Sequence, residues 1–139
     1  MIEYLLDTDT ISLLQEKHPN VVRRVEETPL ELLAITVITV EEQLSGWYTY
    51  LRQARTVRHQ ASAYEHLAKV ASFVGRHAIV TLSESAIVRV KELGRLKLGV
   101  RAMDLRIASI ALEINATVVT RNLRDFQLVP SLRCEDWSV

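Results

Sequence analysis

Tyr4-Leu5-Leu6-Asp7-Thr8-Asp9-Thr10 is a short apolar run that ends abruptly in two acids. A run this short, closed by polar turn formers, reads as a buried strand entering a turn. The same pattern recurs along the chain. Leu32 to Val37 precedes Glu41 and Glu42, Ala78 to Leu82 precedes Ser83, and Thr117 to Val119 precedes Asn122 and Asp125. Leu132-Arg133-Cys134 is a candidate edge strand. Between these runs the period lengthens. Ile107, Ile110, Ala111 and Ile114 follow i, i+3, i+4, i+7, the inward stripe of a helix. A further helix is predicted over Ser83–Leu98, and the proline-free stretch from Glu41 to Val74 reads as two helices in a hairpin. Nearly all-apolar strands alternating with helices predict an α/β fold. Its three α/β/α layers enclose a central, mostly parallel sheet of four to five strands. Ligands bind such sheets at the carboxyl ends of the strands.

The bulk numbers narrow the functional classes. At 139 residues the chain is long enough for one core, and a single domain over residues 1–139 is expected. Lys plus Arg equals Asp plus Glu at 17 each, so attraction for a polyanion must come from local patches or bound metal. The single cysteine, Cys134, excludes an internal disulfide and a cysteine-rich zinc site. Asp7 and Asp9 fall where a signal peptide needs its apolar stretch, and no apolar window approaches a membrane span. A cytoplasmic protein with no membrane partner is expected.

The polar residues at the strand ends are mostly acids. Asp7 and Asp9 follow the first strand, Glu41 and Glu42 the second, and Asn122 and Asp125 the Thr117–Val119 strand, while Asp104 opens the Ile107–Ile114 helix. Carboxylates gathered on one rim repel one another, and a hard cation with oxygen ligands is the usual way to hold them together. No His or Cys has metal-ligand spacing, which favours Mg²⁺ or Mn²⁺ over zinc. Each acid also has a purely structural reading. Asp7 and Asp9 suit helix caps, Thr39 with Glu42 spells a capping box, and Asp104 complements a helix dipole. Asn122 with Asp125 resembles a cap followed by an acid at the third helical position. Capping does not require four segments to converge, and their convergence is what favours a site.

Four blocks together resemble the signature blocks of PIN-domain proteins, and more narrowly of VapC-type toxins. They are Leu5-Leu6-Asp7-Thr8-Asp9, Val40-Glu41-Glu42-Gln43-Leu44-Ser45-Gly46, Asp104-Leu105-Arg106-Ile107-Ala108, and Thr120-Arg121-Asn122 with Asp125-Phe126. They stand in the family's order and span essentially the whole chain. The resemblance implies a PIN-like fold and a Mg²⁺-dependent endoribonuclease, hydrolysing RNA phosphodiesters with metal-activated water. It further implies a homodimer silenced by a small antitoxin that inserts a basic residue into the acidic pocket. Carried over residue by residue, it places the catalytic acids at Asp7, Glu42, Asp104 and Asp125, with Asp7 and Asp104 on the metal and Asp9, Thr120 and Asn122 in support. Two departures stand out. Asp9 takes a place where the family usually has Asn, and Gln43 follows Glu42 where the family usually has a Glu-Leu pair, with Leu44 one place later. At the last position, many relatives have Asp where this chain has Asn122, which leaves Asp125 as the nearest charged substitute.

Two other functional classes stay open in the sequence. Asp7-Thr8-Asp9-Thr10 after an apolar strand also matches the first motif of haloacid-dehalogenase-type phosphatases, with Asp7 as nucleophile and Asp9 as general acid. The late strand, ending Val118-Val119-Thr120-Arg121-Asn122, lacks the paired acids such an enzyme needs. Asn122 in place of an acid also admits a PIN-like binding module with little activity. Arg52, Arg55 and Arg58 form one basic run, a ridge suited to RNA or to an acidic partner segment, and Arg89, Lys91, Arg95, Lys97 and Arg101 another; a solvated helix face is the simpler reading of both. Trp47, Tyr48 and Tyr50 read as core or dimer packing.

Overall fold

β1 (Tyr4–Leu6) lies at the centre of a five-stranded sheet in a computed structural model that describes residues 1–139. Its neighbours are β2 (Leu33–Thr36) on one side and β4 (Thr117–Val119) on the other. β3 (Ala78–Val80) extends the sheet beyond β2, and β5 (Arg133–Glu135) extends it beyond β4. Every pairing is parallel, so each strand must be reached by a crossover, and helices supply the crossovers on both faces. The result is the expected three-layer α/β/α architecture with all five strands.

Side chains along the strands alternate between two cores. Leu5, Ala34 and Val118 face the larger one, built with α5 (Glu84–Arg95) and α6 (Ala102–Ile114) through Ala86, Leu93, Ile107, Ile110 and Ala111. Leu6, Leu33, Ile35 and Val119 face the smaller one. It is filled by Ile11 of α1 (Thr8–Gln15), Val25 of α2 (Pro19–Glu27), Phe73 of α4 (Val57–Gly75), and Trp137. Arg24 stacks over the Trp137 ring at 5.0 Å, and Tyr4 abuts it at 5.2 Å. The stripe read from Ile107 to Ile114 is the buried face of α6, though its last residue is only partly covered.

The structure corrects several local readings. Residues 8–27, assigned no element from sequence, form α1 and α2. Asp7 caps α1, and α1 closes in a C-terminal turn with Lys17 at φ 62°, while Pro19 starts α2 at a position that needs no N–H. The capping box at Thr39 is not formed. Helix α3 (Val37–Gln53) begins earlier, with Thr36 accepting from the Thr39 N–H at 3.2 Å, which places Glu41 and Glu42 inside the helix rather than after a turn. Thr36 wins because it is the residue at which the extended strand backbone ends. The predicted hairpin is α3 with α4, stapled by the Trp47 indole N–H donating to the Ala63 carbonyl at 3.0 Å. Trp47 therefore packs within the hairpin, while Tyr48 and Tyr50 are exposed. A four-residue helix, α7 (Leu123–Phe126), follows β4. No helix is long and apolar enough to cross a membrane.

The strand order fixes where a site can form. The chain moves outward from β1 to β2 and β3, then returns to the other side of β1 for β4 and β5. Between β1 and β4 the crossovers diverge to opposite sides, and the carboxyl ends of those two strands frame a crevice. Asp7 directly follows β1 and Thr120 directly follows β4.

Candidate active site

A cavity of about 360 Å³ opens at that crevice. Asp7, Thr8, Asp9 and Ser12 line it from α1, Glu42 from α3, Arg101, Asp104 and Ile107 from α6 and its approach, and Asn122 and Phe126 from the segment after β4. Asp7, Asp9, Glu42 and Asp104, predicted from sequence, are thus brought to one hollow together with Asn122. Two predicted residues do not line it. Asp125 stands behind Asn122, accepting from its side-chain amide at 3.0 Å, and Thr120 lies fully buried beneath Asp7.

Asp7 is 6% exposed. One oxygen caps α1 by accepting from the Thr10 N–H at 2.8 Å, and the Thr120 hydroxyl also donates to the carboxylate. Burial lifts its pKa above the ordinary 3.8 despite these bonds, and the Asp9 charge adds to the rise. Thr120 in turn accepts from the Asn122 N–H at 2.9 Å, so one hydroxyl ties the β1 acid to the turn after β4. The Thr10 hydroxyl reinforces the join by donating to the Val119 carbonyl at 2.9 Å.

Asp104 is 4% exposed, at the third position of α6, where the helix N-terminus favours negative charge. Both of its oxygens accept from Arg101, at 3.1 Å and 3.2 Å, in a bidentate pair. The guanidinium is held more firmly protonated by Asp104, with Glu42 and Asp125 adding to the effect. Glu42 is half-buried and accepts from the Thr8 hydroxyl at 2.7 Å. Asp9 is bound bidentately by Arg121 at 2.7 Å and 2.8 Å, an exposed pair that joins α1 to the end of β4.

Three participants escaped the sequence reading. Thr8 sits between two prominent acids, and nothing in its spacing announces that it holds Glu42. Arg121 falls within the fourth block, where the resemblance assigns it no role. Arg101 ends a basic run that reads as a solvated face, although it stands three residues before Asp104, the spacing at which helical side chains meet.

The lining is rich in hard oxygen donors and lacks sulfur or imidazole, which suits a hard divalent cation by chemistry. As they lie, no three acidic, histidine or cysteine side chains converge closely enough to hold one. Arg101 already engages both oxygens of Asp104. Donor chemistry therefore fits the ion, and one ligand is in use by an internal cation. For the phosphatase alternative, the acid required at Asp9 is engaged by Arg121 and thus unsuited to proton donation.

No family model matches the chain. Among characterised proteins it is similar to Ribonuclease VapC2 of Rickettsia felis, at 30% identity over 145 residues, covering 96% of this chain and 97% of that one. It is also similar to the tRNA(fMet)-specific endonuclease VapC of Salmonella typhimurium, at 28% over 141 residues and 99% of both chains. Among solved structures, a chain of DNA-bound VapBC from Salmonella typhimurium superposes with a TM-score of 0.80 at 26% identity, covering 99% of each chain.

Proposed function

The chain belongs to the VapC family, and from that premise we propose that it is the toxin of a toxin–antitoxin pair, an endoribonuclease whose acidic pocket works with Mg²⁺ or Mn²⁺. The observation that carries the reading is the meeting of Asp7 and Asp104. Two carboxylates from separate elements are each almost sealed from solvent and face one open cavity. The Arg101 guanidinium offsets the burial of Asp104, but Asp7 is buried with no cation paired to it, and a pocket that does so without using the carboxylate is hard to account for. Asn122, in place of an acid, favours a binding-module reading less than those two carboxylates favour an enzyme.

Asp7 and Asp104 would hold the ion, with Glu42 across the cavity. When bound, the ion neutralises charge developing on the scissile phosphate and makes water easier to deprotonate. The protein's part is positional. Thr120 and the Thr10 N–H fix Asp7 in one orientation. The Thr8 hydroxyl aims Glu42, which suits it to orient a water and accept its proton. Asn122 and Asp125, linked to each other, brace the rim at the end of β4.

For partners, we propose RNA as substrate, a homodimer, and a small antitoxin, all in the cytoplasm. VapBC assemblies of relatives support the antitoxin. Its inserted Arg or Lys would meet Asp7, Glu42 and Asp104, competing with the ion for the same oxygens.

Cleavage of structured RNA by the purified protein tests the reading. EDTA should abolish cleavage, and added Mg²⁺ or Mn²⁺ should restore it. Activity that survives exhaustive chelation overturns the metal-dependent mechanism.

A further inference from the structure

Asp104 is the most deeply buried carboxylate of the cavity, and Arg101 is the side chain hydrogen-bonded to it. The two residues differ sharply in freedom. Asp104 is 6% exposed at its side chain and fixed within the first turn of α6, whereas Arg101 is 67% exposed. Arg101 occupies the position before α6, and its side chain makes no capping hydrogen bond to the helix. Its guanidinium can therefore leave Asp104 by side-chain rotation alone, with no change in the helix.

The geometry points to Arg101 as a built-in competitor for the cation site. Its guanidinium engages both oxygens of Asp104, a residue that would hold the divalent ion, so the Arg101 pair opposes filling of the site. This inference rests on the proposed metal site and concerns what opposes its filling.

The charges favour such an exchange. A guanidinium carries one positive charge and forks onto a single carboxylate. A divalent ion carries two and can draw Asp7, Glu42 and Asp104 together, which one guanidinium cannot. Arg101 also feels Glu42 and Asp125, so it lies in the field of the whole cavity rather than of one partner. The competition nevertheless stays modest, because an arginine two-thirds exposed to water loses much of its pairing strength to solvent. Its effect is to raise the ion concentration at which the pocket fills. Arg121 makes no such contest, because the acid it engages, Asp9, is exposed and outside the proposed ligand pair.

Mn²⁺ binding to the full chain, followed by electron paramagnetic resonance of the free ion, tests this without measuring cleavage. Arg101→Gln should bind Mn²⁺ between about threefold and tenfold more tightly than the unsubstituted protein. Arg101→Lys, which keeps the charge but not the fork, should fall between the two. Circular dichroism establishes that both variants fold. Equal Mn²⁺ affinity in all three proteins overturns the competition while leaving the metal site standing. No Mn²⁺ binding in any of them, Arg101→Gln included, overturns the metal site and the competition together.

Discussion

Asp7 and Asp104 are sealed from water to nearly the same degree, but by different means. On the β1 wall, Asp7 is held by neutral donors, the Thr10 N–H and the Thr120 hydroxyl. On the α6 wall, Asp104 is held by a full positive charge. Neutral donors position a carboxylate without cancelling its charge, and burial then raises its proton affinity. A guanidinium cancels the charge, but it is itself a cation that another cation can replace. The β1 wall is thus a fixed part of the cavity, and the α6 wall an exchangeable one.

The largest effect should come from breaking the fixed wall. Asp7→Asn keeps an oxygen for the Thr10 N–H, and Asn caps helices about as well as Asp, so the fold should persist. Cleavage should fall on the order of 10²–10³-fold, the usual loss when one group that steadies transition-state charge is removed. Wild-type turnover in this variant would remove Asp7 from the reaction.

The same variant probes the electrostatics. A carboxyl with a raised pKa in the folded state favours folding most below its ordinary value of 3.8. That contribution is lost as pH climbs through the folded value. Asn does not titrate, so Asp7→Asn should gain stability relative to wild type as pH rises toward neutrality. Urea unfolding at a series of pH values reads the difference, and parallel stability–pH curves would contradict an uncompensated charge at Asp7.

A smaller effect is expected from Thr120→Val, which keeps the shape but removes the hydroxyl serving both Asp7 and the Asn122 N–H. Stability should drop by about 1–3 kcal/mol, the cost of leaving a buried group unpaired. With one donor gone, Asp7 should hold its proton more tightly, shifting the acidic limb of the cleavage–pH profile upward. An unmoved limb would mean that Thr120 does not tune Asp7.

The smallest effect belongs to Asp9→Asn. It dissolves an exposed ion pair with Arg121, and such pairs contribute little. Melting should be indistinguishable from wild type and cleavage changed by less than about threefold. A large loss of cleavage would place Asp9 among the residues that act on substrate.

The sequence carried the sheet and most of the acids because those signals are local. A run such as Leu5-Leu6 between polar neighbours can be buried only as a short strand here, and the stripe from Ile107 to Ile114 has one helical face. α1 and α2 were missed because each is short and only one face of each meets the core. In α1 the buried residues are Thr10, Ile11 and Leu13, too few to set a clear period, whereas in α2 Val21 and Val25 stand at i, i+4 on one face, a short signal that the sequence does carry. The start of α3 was misplaced because Thr36 and Thr39 are equally good caps on paper, and only the end of β2 decides between them. The hydrogen bond from Thr8 to Glu42 spans 34 residues and that from Thr10 to Val119 spans 109. Neither has a local signature. Arg101 is the opposite case, since its partner lies within one helical turn and the spacing was there to be read.

The placing of β1 between β2 and β4 has a temporal consequence. Synthesis delivers the central strand first and one of its two neighbours more than a hundred residues later, as the bond from Thr10 to Val119 records. Sheets closed by such distant pairings form slowly, since the long loop must be closed before its contacts return anything. Asp7 is made before Asp104, Thr120 and Asn122, and all three must follow before the crevice has its second side. A nascent chain halted anywhere before β4 therefore has no assembled pocket. The order of the strands thus leaves the pocket without its second wall until β4 has been made.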